Sequence, residues 1–260
     1  MKSFILMLSF FTRLPVPYVE YEEKLYIKGI KTIPFVGIVL GLILYLVSFV
    51  NLVFDPEVTA VVLLMTYIFM TGGLHLDGLA DTCDGVFSGR ERERMLEIMK
   101  DSRIGSFGVL AMLFFFIFYA VMYQFLPREA LLILPVIGKS APLISASLAD
   151  YARPSGMGQL LVDNIKAPEV AVAVALPLVL AGLTVVVGQG LGPVIAYVAA
   201  ALIAELSVVL LTRWLKKKLG GITGDTHGMV CEVSQMVFAF FVYAILQFRK
   251  FYKLYKSSAA

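Results

Sequence analysis

Apolar runs of membrane-crossing length recur along the chain at 33–54, 58–80, 106–126, 130–149, 168–188, 192–212 and 229–248. Each run is continuous rather than alternating, which predicts helices and argues against strands. A helix needs ~20 residues to cross a bilayer, so six to seven transmembrane helices are expected. The last is the weakest, because Glu232, Ser234 and Gln235 fall in its first turns. Met1 to Phe11 is apolar behind Lys2 but too short to cross. It lacks a small-residue cleavage site and runs into Arg13 and Leu14-Pro-Val-Pro17, so a retained interfacial helix is expected there. The predicted fold is all-α: a polytopic integral membrane protein, one membrane domain over 1–260, with no internal repeat of the inverted-transporter kind.

Composition agrees with that pattern. The chain is 59% hydrophobic and 16% charged, against ~25% charged for soluble domains. Its net charge of +3 is too small to suggest nucleic acid as a partner. The placement of charge matters more than its sum. The polar breaks at 55–57, 127–129 and 189–192 hold one basic residue, Arg128. The others carry Lys24, Lys28 and Lys31; Arg90, Arg92, Arg94, Lys100 and Arg103; Arg153 and Lys166; and Arg213 with Lys216 to Lys218. The positive-inside rule puts this second set, and the N-terminus, in the cytoplasm. Strict alternation through seven spans then leaves Arg249, Lys250, Lys253 and Lys256 outside, against the same rule.

The richest polar segment is Gly72-Gly-Leu-His-Leu-Asp-Gly-Leu-Ala-Asp-Thr-Cys-Asp-Gly85. Asp77, Asp81 and Asp84 are spaced i, i+4, i+7 and fall within about 60° of one another on a helix. Three carboxylates on one face near a membrane repel each other and are costly to desolvate. A divalent cation resolves the conflict. Carboxylate oxygens favour hard Mg²⁺ or Mn²⁺, and no His/Cys cluster points to zinc. The plainer alternative is a solvated acidic helix end. His75 is a candidate general base, although an ideal helix puts it opposite Asp84. The two cysteines, Cys83 and Cys231, form no metal or redox spacing and read as small packing residues.

Two further segments carry candidate chemistry. After the amphipathic stretch Arg90 to Lys100 comes Asp101-Ser-Arg-Ile-Gly-Ser-Phe-Gly108. Asp101 could complete a metal shell, Arg103 could hold a phosphate, and Ser106 could cap the third span, whose N-terminus favours an anion. The second is Gly220-Gly-Ile-Thr-Gly-Asp-Thr-His-Gly228. Its amides, including those at Gly224 and Thr226, could cradle phosphate, and Asp225 and Glu232 are again i, i+7. A plain helix-capping loop is the alternative. Gly138-Lys139-Ser140 imitates the end of a P-loop, but Ile133 stands where that motif needs glycine. Lys139 and Glu205 are intramembrane charges that could pair with each other. Arg153-Pro-Ser-Gly-Met-Gly158 reads as a turn that could touch substrate or be an ordinary loop.

Leu8-Ser-Phe-Phe-Thr-Arg-Leu-Pro-Val-Pro17, the 72–87 stretch, Met95-Leu-Glu-Ile-Met-Lys-Asp-Ser-Arg-Ile-Gly105 and the 220–228 loop resemble, in order, the membrane-bound cobalamin synthases, the adenosylcobinamide-GDP ribazoletransferases. The resemblance implies acidic catalytic motifs at 72–105 and 220–235. It also implies Mg²⁺ as cofactor and a multi-pass protein of the prokaryotic inner membrane whose site faces the cytoplasm. The implied substrates are adenosylcobinamide-GDP and α-ribazole 5′-phosphate or α-ribazole, beside the lipid bilayer. A second copy of the chain is an option the sequence leaves open. His75, Asp77, Asp81 and Asp84 are then the catalytic candidates, Lys100, Arg103, Ser106, Gly224 and Thr226 bind substrate, and Asp77, Asp81, Asp84, Asp101 and Asp225 hold metal. His227 receives no role from the resemblance. Two rivals stand beside this reading. A CDP-alcohol phosphotransferase would show Asp-Gly-x-x-Ala-Arg, where this chain has Asp77-Gly-Leu-Ala-Asp81. A transporter would place polar residues at mid-depth in several spans.

Overall fold

A computed structural model describes residues 1–156, 158–184 and 191–258. The break expected at 189–192 and the end of the run 168–188 fall partly outside these residues. The regular structure of the described residues is helical apart from one isolated bridge between Tyr151 and Ile222. In chain order the helices are α1 (Lys2–Phe11), α2 (Glu23–Gly29), α3 (Ile33–Val47), α4 (Pro56–Thr71), α5 (Leu74–Val86), α6 (Arg92–Ile98) and α7 (Ser106–Met122). They continue with α8 (Arg128–Ala146), α9 (Gln159–Asn164), α10 (Ala167–Leu183), α11 (Leu191–Leu219) and α12 (Gly224–Ser258).

Among the described residues four helical stretches are long and apolar enough to cross a membrane: Glu23–Leu52, α8, α11 and α12 up to Lys256. A fifth is the bent pair α4–α5. Helices α7 and α10 are apolar and 17 residues each, at the lower limit of crossing length. The multi-pass membrane architecture is therefore present, and exposed Leu42, Leu46, Phe114, Ile117, Leu202 and Leu206 supply the apolar outer surface that lipid covers. Helix α1 turns Leu6, Met7 and Phe11 into the protein.

Helix α8 is the centre of the bundle and contacts α3, α10, α11 and α12. Glycines govern its closest contact. A Cβ on Gly37 would lie 2.6 Å from Pro135 O, and one on Gly41 would lie 2.5 Å from Leu132 O. Gly37 and Gly41, four residues apart, thus let α3 lie backbone to backbone against α8, a pairing that small residues permit in membranes.

The run 58–80 is not one straight span. Helix α4 opens with Pro56 at its first turn and ends at Gly72, whose φ of 63° puts it in the left-handed region, followed by Gly73 at 70°. Such glycines terminate helices, and the chain turns by 90° between α4 and α5. Helix α5, at 13 residues, is too short to cross. It packs against α12 and α7 and holds its aspartates against protein rather than lipid.

Candidate active site

Helices α5 and α12 cross where two glycines meet. A Cβ on Gly78 would lie 2.7 Å from Asp225 O and 3.2 Å from Gly228 Cα, and a Cβ on Gly228 would lie 2.7 Å from His75 O. Only glycine permits that approach. The crossing brings the 72–85 motif against the 220–228 motif, and Asp77 and Asp225 line one cavity of about 150 Å³ with His75, Gly158, Gly224 and His227. Asp81 lies within the field of Asp77, Asp225 and Asp84. Mg²⁺ takes hard oxygen donors, binds through one or two carboxylates and keeps its other positions for water and phosphate. Asp77, Asp81 and Asp225 are donors of that type, although their oxygens do not converge as a three-ligand group among the described residues.

Asp84 is engaged by a neighbouring helix. Its carboxylate accepts the N–H of Gly105 at 2.7 Å and of Gly108 at 2.9 Å, so it caps α7 from a neighbouring helix. Cβ atoms at Gly105 or Gly108 would collide with that carboxylate. Ser106 was expected to cap this helix, but no side chain of the helix's own first residues does so. The anion that the α7 N-terminus attracts is Asp84 itself.

Asp101 and Arg103 hold each other. Arg103 donates through Nε at 3.0 Å and Nη2 at 2.7 Å to the two oxygens of Asp101, on a solvent-facing loop. These hydrogen bonds keep the Asp101 carboxyl down at about 2. Lys100 is exposed beside them. The structure therefore does not bring Lys100, Asp101 or Arg103 into the α5–α12 cavity, whose lining comes from α1, α2, α5, α8, α9, α12 and Gly158.

Thr226 is buried and engaged. Thr223 N–H donates to Thr226 Oγ1 at 2.8 Å, and Thr226 Oγ1 donates to Thr223 O at 2.8 Å. This local box starts α12, so the capping alternative holds for Thr226, while Gly224 lines the cavity.

Sequence reasoning missed two features. Arg153 reaches the site from the 150–158 loop: its Nη2 lies 2.8 Å from Asp225 Oδ2. That loop is tied to the glycine-rich loop by Ala152 N–H to Ile222 O at 2.8 Å and Ile222 N–H to Asp150 O at 2.9 Å. The Arg153-Pro-Ser-Gly segment was legible as a polar turn, but its pairing with residues 70 positions away was not.

The second is a buried polar network beneath the cavity. Lys139 Nζ lies 2.8 Å from His75 Nδ1, and Phe11 stacks on the imidazole with centroids 5.7 Å apart. Tyr67 donates to Glu232 at 2.8 Å, and Gln235 Nε2 donates to Tyr67 Oη at 2.8 Å. Lys139 thus lies against His75 rather than Glu205, whose Oε1 is buried without a hydrogen bond. Gly138 makes room for Gln235, which accounts for the P-loop imitation. His75, Cys231 and Glu232 also converge within 4.8 Å as a metal-like donor set, but the Lys139 ammonium already supplies the cation there. His75 lines the cavity while its Nδ1 is held by Lys139.

The acidic site lies where two helices cross on a multi-pass membrane bundle, and the comparisons with known proteins make the chain a transferase. The family model described as cobalamin-5-phosphate synthase matches residues 3–243, and the chain belongs to that family. A protein of Alkaliphilus oremlandii named adenosylcobinamide-GDP ribazoletransferase is 39% identical over 246 residues, covering 94% of this chain and 98% of that one. Proteins with the same name are 38% identical in Clostridium acetobutylicum, covering 95% of this chain and 98% of theirs, and 37% identical in Escherichia coli, covering 91% and 97%. No solved structure matches.

Proposed function

We propose that this chain joins the two halves of a cobamide. It transfers the adenosylcobinamide-phosphate group from adenosylcobinamide-GDP to α-ribazole 5′-phosphate, or α-ribazole, and releases GMP. The observation that carries this reading is the Gly78–Gly228 crossing, which sets Asp77 and Asp81 beside Asp225 although 144 residues separate Asp81 from Asp225. A diphosphate with a nucleotide leaving group needs such a site.

The ribose hydroxyl of the acceptor attacks the phosphorus next to aminopropanol. A new O–P bond forms, the P–O bond to GMP breaks, and the hydroxyl proton passes to a carboxylate of the cluster or to His75, which lines the same cavity. Asp77, Asp81 and Asp225 would hold Mg²⁺, which when bound neutralises diphosphate charge and stabilises the leaving oxygen.

The basic loops around both motifs favour a cytoplasm-facing site in a prokaryotic inner membrane. Single cysteines at Ser88 and Lys217 should then resist impermeant maleimide in intact cells and react after permeabilisation. Native Cys83 and Cys231 are buried and give little background.

The test of function is a product assay with purified protein, adenosylcobinamide-GDP, α-ribazole 5′-phosphate and Mg²⁺. GMP and adenosylcobalamin 5′-phosphate should form one to one, stop with chelator and resume with Mg²⁺. Turnover of a CDP-activated lipid instead, or no product at any metal concentration, would refute the assignment.

A further inference from the structure

We propose that Arg153 is the phosphate-binding residue of this site, donating through Nε and Nη2 to phosphate oxygens of the bound substrate. The inference rests on the transfer reading above and assigns a ligand to a side chain which that reading leaves unused.

The Arg153 side chain is 10% exposed and sits on Asp225, itself 24% exposed. The ion pair is close, at 2.8 Å, so Nη2 is engaged with the Asp225 carboxylate, while Nε is buried without a hydrogen-bond partner. A buried guanidinium with an unfilled donor is costly unless something completes it. Its field reaches Asp81 as well as Asp225.

The residue is also built into place. Residues flanking Arg153 pair with the 220–222 loop through Ala152 N–H to Ile222 O and Ile222 N–H to Asp150 O. Gly221 has no room for a side chain, because its Cβ would lie 2.5 Å from Asp150 O and 3.0 Å from Ala152 N. Backbone pairing therefore fixes where the guanidinium goes. A planar fork that offers the free Nε–H and the second hydrogen of Nη2 matches two phosphate oxygens, and a phosphate held there lies against the carboxylates proposed to hold Mg²⁺.

Two sources supply the same chemistry: the diphosphate of the activated donor and the 5′-phosphate of the acceptor. The experiment compares wild type with Arg153→Lys and Arg153→Gln, each shown monodisperse in detergent. Turnover is measured with α-ribazole 5′-phosphate and with α-ribazole, and binding of fluorescent GDP is measured separately in Mg²⁺. Arg153→Lys keeps the countercharge of Asp225 but loses the fork, so it separates ligand binding from support of Asp225.

For the diphosphate, both variants should raise KM for adenosylcobinamide-GDP at least ~10-fold with either acceptor and weaken GDP binding in parallel. For the acceptor phosphate, KM should rise only for α-ribazole 5′-phosphate, leaving α-ribazole unaffected. Either result supports the assignment and names the source. If Arg153→Lys keeps all KM values and GDP binding within about threefold of wild type, Arg153 is only a partner of Asp225 and the proposal is overturned. If wild type binds GDP but makes no cobamide product, the transfer reading fails; weaker GDP binding by Arg153→Lys then still supports the assignment, and unchanged GDP binding overturns it.

Discussion

Gly78 and Gly228 touch backbone to backbone: a Cβ added to Gly228 would stand 3.0 Å from Gly78 Cα. The contact closes the distance between two acidic segments far apart in sequence, and it admits no side chain. Gly78→Ala and Gly228→Ala should each push α5 off α12. Overpacking of this kind costs about 1–3 kcal/mol. A lower melting temperature in detergent, together with at least a tenfold loss of turnover, is expected. Retention of both would mean that the crossing does not build the site.

Asp81 and Asp84 share a helix face but should fail differently when neutralised. Asp84 accepts two N–H groups at the start of α7, so Asp84→Asn should lower thermal stability and leave Mg²⁺ affinity nearly intact. Asp81→Asn should do the reverse, since it removes charge from a crowded cluster. The two variants are compared by melting temperature and by Mg²⁺ titration.

The i, i+4, i+7 spacing made the stripe legible, along with the all-helical bundle and the importance of the 220–228 loop. It did not reveal that Asp84 turns to α7, because a helical wheel carries no information about a neighbouring helix's N-terminus. The 90° turn at Gly72-Gly73 was hidden for a similar reason. Hydropathy stays high through Leu74, Leu76 and Leu79, so the window reads across a break that two left-handed glycines create. Arg153 and Lys139 find their partners through tertiary contact alone.

Lys139 and Glu232 are each 1% exposed and lie on either side of His75 and Cys231 in one buried network. Lys139→Met leaves His75 Nδ1 without its 2.8 Å partner in a buried polar network, and an unsatisfied buried polar group costs about 1–3 kcal/mol. Adding Glu232→Gln to Lys139→Met should restore part of the lost melting temperature. A double variant less stable than either single one would show that the two charges do not compensate each other.

The most direct test of one shared acidic site is the double-mutant cycle of Asp81→Asn and Asp225→Asn on kcat/KM at fixed Mg²⁺. Each single change should cost on the order of a hundredfold or more, because each removes a group from one metal–phosphate unit. Residues acting as a unit are strongly non-additive, so the double variant should fall within about threefold of the worse single variant. If the two activation-energy losses instead sum in full, Asp225 works independently of Asp81, and the α5–α12 crossing does not form a single catalytic site.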